Sequence, residues 1–238
     1  MHQLIIGGST GDFYRIDSTR NTDQQIAKYF ITPQTSAIEI MFHDENILEC
    51  EITKTFLKQN FSFCSVHAPT YPYQDDENSH RIFQYLQNIC SILPIKNIII
   101  HPDHVVDRNI FKKYDLPFSI ENMDERKKSG QGVEDLSKIF EKAPNIKFTL
   151  DLQHAFVNDP TMQLAKDLHA AFGDRLVEYH ISGFDKELLH YPLFKTQQKE
   201  IVHGIERSDI SLIIESTFDK ADELEKEIEY IKQIIKNN

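Results

Sequence analysis

Residues 146–151 read IKFTLD, a short apolar run that closes on a carboxylate. Five other runs close on metal-ligating side chains: FSFCSVH at 61–67, IKNIIIH at 95–101, LPFSIE at 116–121, LVEYH at 176–180 and SLIIE at 211–215. Runs of this length read as β-strands, which ordinarily end in turn formers such as Gly, Asn or Asp. His67, His101, Glu121, Asp151, His180 and Glu215 therefore stand at six successive strand ends. A common cause is needed, and convergence on a single metal site is the simplest.

Outward from these runs, strand-length apolar stretches alternate with stretches of helical period, the pattern of repeated βα units around a parallel sheet. Strands are expected near 3–7, 37–42, 61–67, 96–101, 116–121, 146–151, 176–182 and 211–215. Several are continuously apolar, as fits strands covered on both faces. Ile82, Phe83, Leu86, Ile89, Cys90 and Leu93 recur at helical spacing ahead of Pro94, which cannot continue a helix. Asp159 and Pro160 read as the N-cap and first turn of the helix after the sixth strand, with Gly173 as its stop. Leu224, Ile228, Ile231 and Ile235 give the last helix its apolar face, and its Glu and Lys residues are assigned to solvent.

About eight such units in 238 residues predict an α/β fold, a compact (β/α)8 TIM barrel forming a single domain over 1–238. An open doubly wound sheet would spread the six strand ends along a line, whereas a barrel gathers them into a ring. The polar stretches Ser9 to Asp23 and Phe184 to Lys199 read as longer loops after strands, on the face where such barrels carry their sites.

Composition narrows the class. Hydrophobic content of 40% and charged content of 26% are globular, and no run approaches the roughly 20 apolar residues of a membrane span. The start MHQLIIGGST is too short and too uncharged for a signal peptide, so a soluble, cytoplasmic protein is expected. Cys50, Cys64 and Cys90 form no CxxC pair and read as reduced thiols. With 26 Lys and Arg against 37 Asp and Glu, the formal charge of −11 opposes extensive contact with duplex phosphates, although a local basic cleft is compatible with it.

IENM at 120–123, DLQHAF at 151–156, VEYHISG at 177–183 and IIES at 213–216 resemble the successive metal-site motifs of the xylose isomerase-like TIM barrels. That superfamily holds sugar and sugar-phosphate isomerases and epimerases and the endonuclease IV (AP endonuclease family 2) type of nuclease. The resemblance implies that Glu121, Asp151, His180 and Glu215 bind a divalent metal ion, Zn²⁺ or Mn²⁺, with Mg²⁺ or Co²⁺ also suited. It also implies that His154 lies at the site, as a substrate contact in the epimerases or a further zinc ligand in the nucleases. SVHAP at 65–69 and IIIHPD at 98–103 resemble the nuclease branch more closely, where the matching histidines, His67 and His101, hold a second zinc bridged by the match to Glu121. HYPL at 190–193 matches a third-metal histidine at His190, but Leu188 stands where the branch has a carboxylate, with Asp185 the nearest substitute.

Two reactions are compatible with these residues. The leading expectation is sugar or sugar-phosphate isomerisation or epimerisation through a metal-stabilised enediolate, with Glu121 and Glu215 exchanging the proton and His154 orienting a hydroxyl. Its partner would be a small carbohydrate or phosphosugar. The alternative is zinc-dependent phosphodiester cleavage at a di- or trinuclear site; the acidic loop YPYQDDEN at 71–78 and the overall charge weigh against a duplex substrate. A non-catalytic, metal-holding barrel is the third option. Glu39 is expected to point into the barrel, toward substrate, cation or an ion-pair partner. Phe13, Tyr14, Tyr71 and Tyr73 either wall the site or pack the core, while His43, His80, His104, His169 and His203 receive no role.

Overall fold

The computed structural model describes residues 4–44, 48–187 and 189–237. Its barrel strands are β1 (Ile6–Ser9), β2 (Ala37–Met41), β3 (Phe63–His67), β4 (Asn97–Ile100), β5 (Phe118–Glu121), β6 (Lys147–Asp151) and β7 (Leu176–Ile181). A hairpin of β8 (Gly183–Asp185) and β9 (Leu189–Tyr191) follows, and β10 (Ser211–Ile214) completes the ring. Parallel pairing runs β1-β10-β7-β6-β5-β4-β3-β2 and closes between β2 and β1, giving the expected (β/α)8 TIM barrel and excluding an open sheet.

The strand ends agree with the sequence reading to within two residues except in β1, which runs 6–9 instead of 3–7; residue 3 lies outside the described residues. The reason is Gly7. A Cβ there would lie 1.7 Å from the carbonyl oxygen of Ala37, so the glycine pair permits a close strand approach that an apolar count misses.

The helices are α1 (Asp23–Tyr29), α2 (Lys54–Asn60), α3 (Glu77–Ile92), α4 (Val133–Lys142), α5 (Leu152–Asn158), α6 (Gln163–Phe172), α7 (Leu193–Thr196), α8 (Lys199–His203) and α9 (Glu223–Lys236). Thr22, Thr53 and Asp76 cap the first three, each side chain accepting a backbone N–H from the first turn of its helix. Between β4 and β5 the chain makes two 3₁₀ turns, Pro102–His104 and Arg108–Lys113, in place of an α-helix. Pro102 and Pro117 bracket a stretch without a sustained helical repeat.

Two helix expectations are corrected. Helix α5 starts directly at the end of β6, capped by Asp151, and Asp159 lies beyond its end. Asp159 instead accepts the N–H of Leu164 at 2.9 Å, so it supports α6 from outside its first turn. In α9, Leu224, Ile228 and Ile231 are buried as expected, but so are Glu223 and Glu227. Glu227 is held inside because its carboxylate accepts the N–H groups of Leu193 and Phe194 at 2.7 and 2.9 Å.

Strand alternation sorts the barrel into shells. Ile38, Ile40, Val66, Ile98, Ile120 and Leu150 are buried against the helices. Their neighbours face the interior in layers: Ala37, Phe63 and Ile213 form a separate apolar plug, followed by Ser65, Asn97, Ser119, Thr149 and Glu178. That polar layer is bonded to itself, with Ser65 Oγ and Asn97 Nδ2 both donating to Glu178 at 2.7 Å. The layer above it carries His67, Glu121, Asp151 and His180. Phe13 and Tyr73 are core residues, Phe13 stacked on Tyr29 and Tyr73 on Phe83. The three cysteines are free thiols, and among the described residues no helix is long and apolar enough to cross a membrane.

Candidate metal centre

One residue separates each polar interior layer from the next, so the last inward position of each strand falls at the mouth of the barrel. His67, Glu121, Asp151 and His180 occupy such positions, and His101 and Glu215 stand one residue beyond β4 and β10. The structure brings these six side chains together in two groups that share Glu121. His67, His101 and Glu121 form one; Glu121, Asp151, His180 and Glu215 form the other, with donor atoms in each group within 4.8 Å of one another. Glu121 Oε2 lies 3.1 Å from His101 Nε2 and 3.7 Å from His67 Nε2. Its other oxygen, Oε1, lies 3.2 Å from His180 Nδ1, which is also 3.2 Å from Glu215 Oε2.

Asn122 explains how two strands hold their ligands in register. It donates through Nδ2 to the carbonyl of Asp151 at 2.9 Å and accepts the Asp151 N–H at 2.8 Å. Asp151 Oδ1 then accepts the N–H of His154 at 2.8 Å, starting α5 and carrying His154 into the site. The bland role of a strand-end carboxylate, helix capping, is thus present beside the ligand geometry.

The histidine tautomers follow from their acceptors. A carbonyl oxygen can only accept, so His67 donates Nδ1–H to Ala68 O at 3.0 Å and His154 donates Nδ1–H to Asn122 O at 2.9 Å. In the neutral rings Nε2 then carries the lone pair, the arrangement that backbone carbonyls impose on metal-ligating imidazoles. His190 Nδ1 is 3.0 Å from Ser182 Oγ, and its ring lies 5.5 Å from that of His154.

Without a cation the charges of this buried cluster are shared between carboxylates and imidazoles. Burial opposes a charged His180, but Glu215, Glu121 and Glu39 outweigh it and hold the imidazole well above its ordinary value. His67 is likewise raised, to about 9, against its burial and chiefly by Glu121. Burial raises Asp151 to about 7, whereas His180 brings Glu215 down to about 2 despite burial. His190 is lowered to about 4 by burial and by His154.

These residues fit a divalent metal ion. Glu121 Oε2 and His180 Nε2 are buried without a well-directed hydrogen bond among the described residues, their near neighbours being His101 Nε2 at 3.1 Å and Glu39 Oε2 at 3.2 Å, an expensive state for such groups. The His67 and His101 Nε2 atoms stand 3.0 Å apart, near the roughly 3.3 Å that two zinc–nitrogen bonds impose at a tetrahedral angle. Mixed imidazole and carboxylate donors suit Zn²⁺ and Mn²⁺ alike.

Other expected residues fall in different places. His154 and His190 line a cavity of about 770 Å³ above the cluster together with His67, His101, Glu121 and Glu215. Glu39 lies beneath it, fully buried, with Oε2 3.2 Å from His180 Nε2, and forms a third close group with Glu178 and His180. Asp185 accepts the N–H of Glu187 in the hairpin turn and joins neither ligand group; Leu188 lies outside the described residues. Tyr14 lines the cavity, while Tyr71 packs against the core.

Sequence reasoning missed Asp12, Asp124, Arg126 and Glu178. Glu178 was accessible to it, because residues two apart on a strand share a face and Glu178 precedes His180 by two. Asp12 lines the cavity, and its carboxyl is raised well above the usual range by burial and by Glu215. No periodic signal marks it, nor Asp124, whose Oδ2 is 3.8 Å from His154 Nε2.

The barrel fold is shared with solved structures of an endonuclease IV, a sugar epimerase and a xylose isomerase domain containing protein. Solved structures with this fold include AsfvAP in the crystal structure of AsfvAP:AG, at 14% identity over 99% of both chains with a TM-score of 0.68. Endonuclease IV from Thermus thermophilus matches at 13% identity, covering 86% of this chain and 90% of its own, with a TM-score of 0.65. The 3-keto-D-glucoside 4-epimerase YcjR from E. coli matches at 12% identity over 98% and 99%, with a TM-score of 0.62. No family model matches the chain, and no curated protein matches it in sequence. One architecture thus serves a named endonuclease and a named epimerase, and the reaction has to be argued from the site.

Proposed function

We propose that this protein is a divalent-metal-dependent phosphoester hydrolase whose two metal positions share Glu121. The observation that carries this reading is the division of the Glu121 carboxylate, with Oε2 turned to His67 and His101 and Oε1 to His180. An isomerase that chelates its substrate at one metal has no evident need for the His67–His101 pair, so the reading departs from the leading sequence expectation.

His67, His101 and Glu121 would hold one ion, and Glu121, Asp151, His180 and Glu215 the other. Such a pair supplies an activated water near neutral pH and neutralises charge on phosphoryl oxygens. The chain's own residues set the rest. Glu39 faces the outer nitrogen of His180 at 3.2 Å, placing a buried carboxyl group behind its ring. His154 and His190, both walling the cavity, present polar ring edges to the substrate beside the cluster. Helix-capping Asp151 ties the position of His154 to that of the cluster, so substrate contact and metal ligation move together.

Isomerisation or epimerisation is the second reading, favoured by Glu121 and Glu215, which approach His180 Nδ1 at the same 3.2 Å. A comparison of the Zn²⁺- or Mn²⁺-loaded protein on aryl phosphodiesters, aryl phosphomonoesters, an abasic duplex and a panel of ketoses tests the choice. Phosphoester cleavage with two ions per chain is expected; ketose turnover with one ion per chain would replace it with the second reading.

A further inference from the structure

The loop after β5 carries a feature that ligand geometry leaves unused. Asp124 is fully buried three residues beyond Glu121, and Arg126 stands beside it at the cavity wall. Asp124 Oδ1 accepts the Arg126 backbone N–H at 2.9 Å, and Oδ2 accepts Nε at 2.8 Å and also Nη2. One edge of the guanidinium is therefore fixed on a carboxylate that cannot turn away. Among the described residues Nη1 has no hydrogen-bond partner, and the side chain is 37% exposed.

The setting is electrostatically unusual for this chain. Its formal charge is −11, yet Arg20, Arg126 and Lys127 all line the one cavity above the cluster. Once metal ions offset the ligand carboxylates, these three basic side chains against Asp12 leave the cavity lining with an excess of positive charge, and a cleft concentrates such a field. An ordinary surface ion pair has two exposed, mobile partners and little orientation. Here the acid is buried, its Oδ2 also lies 3.8 Å from His154 Nε2, and the arginine fork is aimed from inside the protein. A fork with one fixed edge and one free edge suits a phosphoryl group, whose oxygens accept parallel N–H donors.

We propose that Arg126, aimed by Asp124, binds the non-bridging oxygens of the substrate's phosphoryl group, and that the substrate is a phosphate ester small enough to enter the cavity. This rests on the phosphoester reading for its substrate class. Arg126 is a binding and specificity residue; Asp124 is a positioning residue.

Inorganic phosphate is the probe. Calorimetric titration into protein loaded with Zn²⁺ and freed of excess metal should show saturable binding, weakened about 10- to 100-fold in Arg126→Gln, with zinc content unchanged. Arg126→Lys should recover part of the affinity, because the charge returns without the fork. Equal phosphate affinity in wild type and Arg126→Gln would overturn the proposal, as would no phosphate binding in the wild type. If phosphate binding depends on Arg126 while no phosphoester is cleaved, the hydrolase reading fails and the phosphate site stands.

Discussion

His67 Nε2 and His101 Nε2 stand 3.0 Å apart with their rings perpendicular. Two imidazoles approach in this way when one proton or one cation lies between them, and the Nδ1–H bond from His67 to Ala68 O leaves its Nε2 free to share. His101→Ala should therefore remove one of two bound Zn²⁺ per chain while leaving the barrel folded. Metal analysis of the purified variant, beside its circular dichroism, checks this. Equal zinc content in wild type and variant would dissolve the bridged pair.

Glu121 belongs to both groups, and Glu215 to only one. Glu121→Gln is expected to weaken both ions and abolish turnover, whereas Glu215→Gln should abolish turnover yet spare the ion at His67 and His101. Loss of activity should reach at least about 100-fold in each, because changes to the partners of metal ligands alone commonly cost about 10–100-fold. Zinc titrations of the two variants read the difference directly; identical profiles would contradict the division.

Protons and metal compete for the same site. In the metal-free protein His67 is raised from 6.5 to about 9, Asp151 from 3.8 to about 7 and Glu178 from 4.5 to about 8. Each holds its proton more tightly folded than unfolded, so stability falls as pH rises through this range, between about 4 and 9. Glu215 and His190 act oppositely: the Glu215 contribution is complete above 4.5 and is lost only as pH falls toward about 2, while His190, lowered from 6.5 to about 4, adds stability as pH rises to about 6.5 and is outnumbered there by the raised groups. The urea midpoint of the metal-free protein should thus decline from about pH 5 to about pH 9, while zinc affinity rises over the same interval with proton release. A midpoint that climbs with pH would refute this charge arrangement.

The barrel was legible because its strands are dense apolar runs, and six strand-end donors were legible because chemistry at a strand end breaks the expected turn composition. What escaped was set by tertiary contact. Strand β1 was displaced because Gly7 approaches Ala37 closely, a fact of pairing and not of hydropathy. Glu227 looked like one more solvated acid in a charged helix until the start of α7 supplied its two backbone donors. Arg126 gave no signal because its meaning depends on the buried carboxylate beside it, and Asp124 is polar in a polar loop.

Glu227 yields a test of how far from the cluster its support extends. Its carboxylate is buried, raised to about 7 by burial, and accepts two N–H groups from α7 and the hydroxyl of Ser216 at 3.1 Å. Ser216 follows Glu215, and α7 follows the strand that carries His190, so one side chain braces two walls of the site. Glu227→Ala takes the acceptor from the buried N–H of Leu193, the buried hydroxyl of Ser216 and the half-buried N–H of Phe194; at about 1–3 kcal/mol for each of the two fully buried donors, the loss is about 2–6 kcal/mol. Glu227→Gln keeps one accepting oxygen and should lose less. Urea unfolding of the metal-loaded variants should rank wild type above Gln above Ala, with zinc retention following the same order. If Glu227→Ala unfolds at the wild-type midpoint, the brace is ornamental and the site is held by the strands alone.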